Sequence, residues 1–336
     1  LMISSKSNRP PAAEKSNSLR RSVRPTMEDY VLNLKRITQK FGTGDDAKTV
    51  FDYWSLSSDQ LVLSTEAAAA VSHAFPNATP VFTYLANDIR KPDQESGIPF
   101  SMVSAVDFGD SFGPISAISN QSIAKLAENE IVLNQWAAED LGVEPGAKVV
   151  VTFFEPETTH GSQVERSVEM KLVDVVKLTV PDQPFETSRR GIKPAEFAEE
   201  PTVANDPALT PEVPGVTDAE SIGNWDLPFS TEGKLRAQDD VYWDDFRTTP
   251  KAFISLATGQ EIWRSRFGIT TGFRIPVDAG AAEQLSERVL DQFGADQADL
   301  GLHLVPIKRQ GLKASSGTTP YDGLFLGLSM FVIGAA

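Results

Sequence analysis

The stretch DDVYWDDFRTTPKAFISLATGQEIWRSRFG gathers more chemistry-bearing side chains than any other part of the chain. Asp239, Asp240, Asp244 and Asp245 lie beside Arg247, Arg264 and Arg266, with Tyr242, Trp243 and Trp263 interleaved. Paired carboxylates next to aromatic rings are what sugar-cleaving sites use, one acid protonating the leaving group and the other acting as base or nucleophile. A membrane-anchored hydrolase of glycosidase type using acids near Trp243 is therefore one reading. Consecutive acids in an acidic protein are more often a solvated or Arg-paired face, and that reading is preferred. Trp243, Asp244, Arg247 and Trp263 are retained as interaction residues without a catalytic role.

A second group, Glu155, Glu157 and His160, offers metal-ligand atoms at what reads as a hairpin tip. His73 and His303 fall far away, on an Ala-rich helix and in an apolar run, so no three-histidine site is expected. No GxxxxGK[ST], no GxGxxG after a strand and no GxSxG elbow occurs, so the sequence signals neither a phosphate cradle nor a nucleophile elbow. No catalytic residue, cofactor or metal is assigned.

The elements that position these residues follow from periodicity. Met27, Tyr30, Val31, Leu34, Ile37 and Phe41 recur at helical intervals after a Thr26/Asp29 capping spacing, which predicts a helix ended by Gly42. A β run at Leu61 to Leu63, a helix from Ser64 and a β run at Val81 to Leu85 form a β-α-β unit. A second such unit runs from Gly272 to Pro276 through a helix capped by Asp278, with Ala282, Leu285, Val289 and Phe293 on one face, to a strand at Leu302 to Ile307. Between them, Asn134 caps a short helix ended by Gly142, Lys148 to Phe154 is a strand, and Val168, Met170 and Leu172 alternate with charged residues in its partner.

From this come the expected divisions: a mobile leader at residues 1–25, the first half of an α/β lobe at 26–120, and an inserted β-rich lobe at 121–180. A Pro-rich acidic strap follows at 181–230, then the second half of the α/β lobe at 231–315 and the start of a transmembrane helix at 316–336. Apolar punctuation of the strap at Leu209, Val213, Val216, Ile222, Trp225 and Phe229 predicts that it lies ordered on the surface. The fold class is α+β, a discontinuous α/β lobe with a small inserted β-rich lobe.

Composition narrows the partners. With 31 basic and 46 acidic residues the formal charge is −15, which repels phosphate backbones, so nucleic acid is excluded as an expected partner. There is no cysteine, hence no disulfide and no thiolate site. The final stretch GLFLGLSMFVIGAA is uncharged; as a helix it reaches roughly 21 Å, about two-thirds of the ~30 Å hydrocarbon core.

Three stretches carry a resemblance to a known family. EIVLNQWAAEDLGVEPGAKVVV resembles the acid, strand, helix, Leu-Gly and turn segment of FtsX-like ABC-transporter permeases. SSGTTPYDGLFLGLSMFVIGAA resembles the junction where the extracytoplasmic domain of such a permease re-enters the membrane. VYWDDFRTTPKAF, with DPALTPEVPGVTD upstream, resembles a subgroup with an enlarged extracytoplasmic region. The resemblance implies a MacB-like periplasmic core domain, outside the inner membrane of a bacterial cell and tethered by flanking spans. Its implied partners are a cytoplasmic ATPase subunit or domain and a second permease subunit in a dimer, and it implies no chemistry of the domain's own. Tyr321 and Asp322, at the water–membrane junction, are where coupling between the spans and the domain is expected to pass.

Overall fold

A computed structural model of the chain describes residues 25–42, 47–108, 123, 125–157, 163–188, 191–226, 234–293 and 307–315, together with Phe325, Ser329, Met330 and Ile333. Two compact units result: Thr26–Phe293, and a second made of Leu1–Pro25 with Gly294–Ala336. The first contains nearly all the described structure, and its fold is α+β.

Its first sheet is antiparallel and runs β1 (Leu32–Phe41), β2 (Lys48–Ser58), β11 (Gly272–Pro276) and β3 (Thr79–Arg90). Strands β2 and β3 both pair antiparallel to β11 and so run parallel to each other. With helix α1 (Thr65–Ala74) between them they form a split β-α-β unit. Ser64 caps α1 by accepting from Ala67 N at 3.1 Å, as its sequence position predicts. On one face, Leu32, Leu56, Phe273 and Ile275 meet Ala67 and Val71 of α1 and Leu285 and Val289 of α5 (Ala282–Gln292).

The helix expected from Met27 to Phe41 is instead one 3-10 turn, Glu28–Tyr30, followed by β1. The Thr26/Asp29 pairing exists, with Asp29 Oδ2 accepting from Thr26 N at 2.7 Å, but Val31 at φ 58° ends the turn at once. The apolar spacing fits either period, and the partner decides. Residues 48–58, KTVFDYWSLSS, are rich in β-branched and aromatic types and pair with β1 along its whole length. The β run expected at Leu61 to Leu63 is a turn, with Leu61 at φ 69°; the strand lies earlier, as β2. Ala281, not Asp278, occupies the N-cap of α5, and Asp278 falls in a 3-10 turn before it. Ile307 opens helix α6 (Ile307–Ser315), while residues 302–306 lie outside the described residues.

Strand β3 runs twelve residues and outgrows this sheet. Its second half enters a barrel with β4 (Ile98–Ala105), β10 (Ala252–Ile254), β5 (Glu130–Asn134), β7 (Glu165–Val176) and β6 (Lys148–Phe154), and β6 closes back onto β3 at Asp88 to Arg90. Residues 121–180 thus supply three of its six strands, and the β-rich lobe is completed by β3, β4 and β10 from elsewhere in the chain. Side chains such as Phe82, Ile89, Val103, Leu133, Val151 and Met170 form its buried cluster. Helix α4 (Leu256–Ile262) packs on β3 and β4 through Gly259, where a Cβ would come within 2.2 Å of the Ala105 side chain.

The other face of the first sheet is covered by the strap, which carries a two-stranded antiparallel sheet of β8 (Glu186–Ser188) and β9 (Gly191–Lys193). Thr83 Oγ1 donates to Leu209 O at 2.7 Å, Gln39 Nε2 to Ala195 O at 2.9 Å, and Lys35 pairs with Glu212 at 2.6 Å. Val203, Leu209, Val216, Ile222 and Trp225 are buried, so the strap's apolar punctuation is where it packs; Phe229 lies outside the described residues. Among the described residues no helix is long and apolar enough to cross a membrane. Most of residues 316–336 lies outside them, as do most of residues 1–25.

Candidate functional site

Helix α3 (Ala237–Phe246) sorts the acidic segment by its own periodicity. Asp239, Tyr242, Trp243 and Phe246 are buried on one side, and Asp240, Val241 and Asp244 are exposed on the other. The four carboxylates therefore do not share a site. Asp245 is half-buried, and its carboxyl is raised by burial and by the charge of Asp244.

Asp239 is fully buried and held by the residue that caps the helix. Arg236 donates to it through its backbone N at 2.9 Å, Nε at 3.0 Å and Nη2 at 2.7 Å. Arg236 Nη1 also reaches Asp140 Oδ2 at 2.9 Å, which ties α3 to helix α2 (Gln135–Leu141). Bonding to Asp239 outweighs burial and raises the guanidinium pKa further.

Behind Asp239 lies Lys251, 2 % exposed, with Nζ 3.9 Å from Asp239 Oδ1. Nζ sits over the rings of Trp136, at 4.7 Å, and Tyr242, at 4.6 Å. Burial pulls this amine down to about 8 against the opposing pull of Asp239. The Tyr242 hydroxyl donates to Thr249 O and accepts from Asn134 Nδ2, each at 2.9 Å, and burial raises its pKa. Asn134 also caps α2 through Ala137 N at 2.8 Å, the role its sequence position predicts.

The next residue on the buried side is Trp243. Its indole N–H donates to Glu220 O at 3.2 Å, and its ring meets Trp225 edge to face at 5.2 Å. Arg247 closes the helix with its guanidinium 5.6 Å from the Trp243 ring, in a backbone conformation, φ 52° and ψ −127°, that side chains with a Cβ rarely adopt. Its Nε is buried and meets no hydrogen-bond partner among the described residues. The structure thus brings Trp243 and Arg247 together and leaves Asp244 pointing outward. Trp263 sits elsewhere, packed in the barrel cluster against Phe82, Tyr84 and Phe153. Tyr321 and Asp322 lie outside the described residues.

A second buried ionic group joins sheet and strap. Asp206, fully buried, accepts from Tyr53 OH at 2.6 Å and lies 3.4 Å from Arg274 Nη2; the guanidinium rests 3.8 Å from the Tyr53 ring centroid. Burial raises the Asp206 carboxyl despite the opposing Arg274 charge. A cavity of about 10 Å³, room for one water, opens beside it among Ser55, Ser57, Thr271, Gly272 and Arg274.

The hairpin acids are engaged one by one: Glu155 pairs with Arg166, and Glu157 with Arg266 at 2.9 Å. His160 lies outside the described residues, and among those described no group of three His, Cys, Asp or Glu is arranged to hold a metal.

Sequence reasoning missed Lys251, Asp206 and Arg274. Lys251 carried a signal, a lone cation heading the apolar run Ala252–Ile254. Arg274 carried the same signal within Gly272–Pro276, while Asp206 carried none beyond its place before Pro207.

No family model and no curated protein matches the chain. Among solved structures it is similar to a domain of a protein described as a permease from Porphyromonas gingivalis, at 9 % identity and a TM-score of 0.33, covering 82 % of this chain and 84 % of that one. A likeness that loose transfers no function.

Proposed function

We propose that the chain is the extracytoplasmic domain of a permease subunit of the FtsX-like type, coupling ATP-driven motion of membrane spans to the handling of substrate or partner outside the membrane. The observation that carries this reading is the contact between Tyr30 and Phe293, whose rings stack 3.8 Å apart at 16°. These residues lie at the two ends of the unit Thr26–Phe293. Chain entering and leaving the unit therefore does so at one place, as a domain inserted between two spans requires. Strand β1 begins beside that junction and is joined through β2 and β11 to β3, which continues into the barrel, so hydrogen-bonded strands connect the junction to the barrel.

On this reading the domain works without chemistry of its own, paired with a second subunit and driven by a cytoplasmic ATPase. The engagement of Asp239 by Arg236 and the outward placement of Asp240 and Asp244 support it over a hydrolase. A glycosidase needs two carboxyl groups facing one cleft.

The test is the protein in its own cells, detected with an antibody against this chain. The expected product is heavier than 36.5 kDa and stays with the membrane through carbonate extraction. A carbonate-soluble product near that mass overturns the reading.

A further inference from the structure

The turn at residues 265–268, which follows α4, holds a large apolar side chain out in solvent: Phe267 is 60 % exposed. The turn is fixed from several directions. Ser265 Oγ accepts from Phe267 N at 3.2 Å and donates to Gly268 O at 3.3 Å. Gly268, at φ 149°, lies so close to Leu63 O that a Cβ would strike it, so only glycine lets the turn seat there. Beyond it, Gln260 Nε2 of α4 donates to Ile269 O at 3.2 Å and Leu63 N to Thr270 O at 2.8 Å. Arg266 donates to Glu157 through its backbone N at 2.6 Å and pairs with it through Nε at 2.9 Å. Its guanidinium stands 4.8 Å from the Phe267 ring.

An apolar side chain held this firmly has already lost much of the freedom that docking would cost it. Its neighbours indicate what it docks on. Leu61 is exposed on the turn against which Gly268 sits, and Val164 is exposed on the hairpin of β6 and β7, whose Glu157 holds Arg266. These are three of the five large apolar side chains that stand exposed among the described residues of Thr26–Phe293, the others being Val180 and Val241. Exposed arginines share the same segments: Arg264 and Arg266 on the turn, and Arg166 paired with Glu155 on the hairpin. In a chain of net charge −15, Glu155 and Glu157 are thus both compensated here. One aromatic seated in a protein pocket needs no such company. Apolar side chains from three separate segments, with arginines among them, suit a broad surface with an apolar interior and phosphate at its face.

The chain also enters and leaves the unit at this end. Asp59, two residues before Leu61, donates through its N to Val31 O at 3.2 Å, and Val31 follows Tyr30, which stacks on Phe293. We infer that Phe267, with Leu61 and Val164, dips into the headgroup layer of the bilayer, where Arg264 and Arg266 meet lipid phosphate, and so sets how the domain stands on the membrane. This rests on the permease reading, which turns the Tyr30–Phe293 junction toward the spans.

Because the chain has no cysteine, a single introduced one carries a fluorophore at a chosen place. The full chain labelled at Leu61→Cys, and separately at the exposed reference Val241→Cys, is mixed with vesicles of phosphatidylethanolamine and phosphatidylglycerol containing headgroup spin-labelled lipid. Quenching at 61 is expected to exceed that at 241 at least about threefold, and Phe267→Asp in the Leu61-labelled chain should bring it down to the reference. The Asp variant changes an exposed side chain and leaves the turn's backbone bonds in place. Equal quenching at 61 and 241, or quenching at 61 that survives Phe267→Asp, overturns the contact. Shielding of the label by a cell-envelope protein extract, with none from vesicles, assigns the surface to a protein and overturns it too. If the product in its own cells resists carbonate while the label at 61 stays unquenched, the bilayer contact falls and the permease reading stands; a carbonate-soluble product removes both.

Discussion

Asp206 and Arg274 form an ion pair, Oδ2 to Nη2 3.4 Å, in which the residues are 0 % and 5 % exposed, and it fastens the strap to the face of β11. Removing one member of such a pair leaves the other charge buried with its opposite charge gone. Asp206→Ala is therefore expected to cost about 3–5 kcal/mol, read as a lower urea midpoint. The double change Asp206→Leu with Arg274→Met should recover most of that loss, since apolar replacements of similar volume restore packing without an ionic debt. A double variant no more stable than Asp206→Ala would show that the charges do more than hold each other.

Lys251 gives the stability a pH dependence of definite sign. Its proton is held more weakly in the fold, at about 8, than in the unfolded chain, where the ordinary value is 10.5. Between these values the unfolded chain holds more protons, so stability rises with pH across that window and the penalty is fully present below 8. Lys251→Met should accordingly be more stable than wild type at pH 7 by about 1–3 kcal/mol, and the margin should vanish by about pH 10.5. Urea midpoints of both proteins at pH 7 and 10 measure it, and a constant margin counts against the assignment.

The α+β class, the Ser64 and Asn134 caps, the Gly142 turn and the alternation in β7 were legible because each rests on a short-range rule. Asn134 shows its cap by type and spacing alone, and Gly142 takes φ 61° where the sequence places a helix end. The start of the chain was not legible in that way. Leu34, Ile37 and Phe41 satisfy a helical period by coincidence, and the deciding fact is pairing with residues 48–58, a tertiary relation. The closure of β6 onto β3 likewise joins distant residues, Val150 with Arg90, without any local mark. The acidic segment shows the same limit: four aspartates read as one cluster until the helix turns Asp239 inward and Asp240 and Asp244 out.

The two tryptophans retained from the sequence differ in what their indole N–H does. Trp243 donates to Glu220 O, whereas Trp263 Nε1 is buried with no acceptor among the described residues. Trp→Phe removes a made bond in the first case and an unmet donor in the second. Trp243→Phe is expected to cost about 2–3 kcal/mol, and Trp263→Phe about 1 kcal/mol less, since its cavity cost is partly offset. Denaturation of the two single variants ranks them; the reverse order would place a partner at the Trp263 nitrogen.

Arg247 separates backbone strain from side-chain packing. Arg247→Ala loses the contact with Trp243 and keeps a Cβ at φ 52°, ψ −127°; Arg247→Gly loses the same contact and relieves the backbone. The glycine variant should exceed the alanine variant in stability by about 1 kcal/mol or more. Equal stability would mean that the turn after α3 relaxes at little cost.

Tyr30 and Phe293 offer the most direct physical test of the junction on which the permease reading rests. Stacked aromatic pairs couple by about 0.5–1.5 kcal/mol beyond the area they bury. A double-mutant cycle of Tyr30→Ala and Phe293→Ala should therefore return an interaction energy of that size and not simple additivity. The cycle bears on function as well as stability. If the ends of Thr26–Phe293 are clamped, each single variant should loosen the other end, so Phe293→Ala should speed hydrogen exchange at Leu32 and Asn33, where β1 begins. Additive stabilities with unchanged exchange there would mean that the two ends are held separately, and a force entering at one would not be shared by the other.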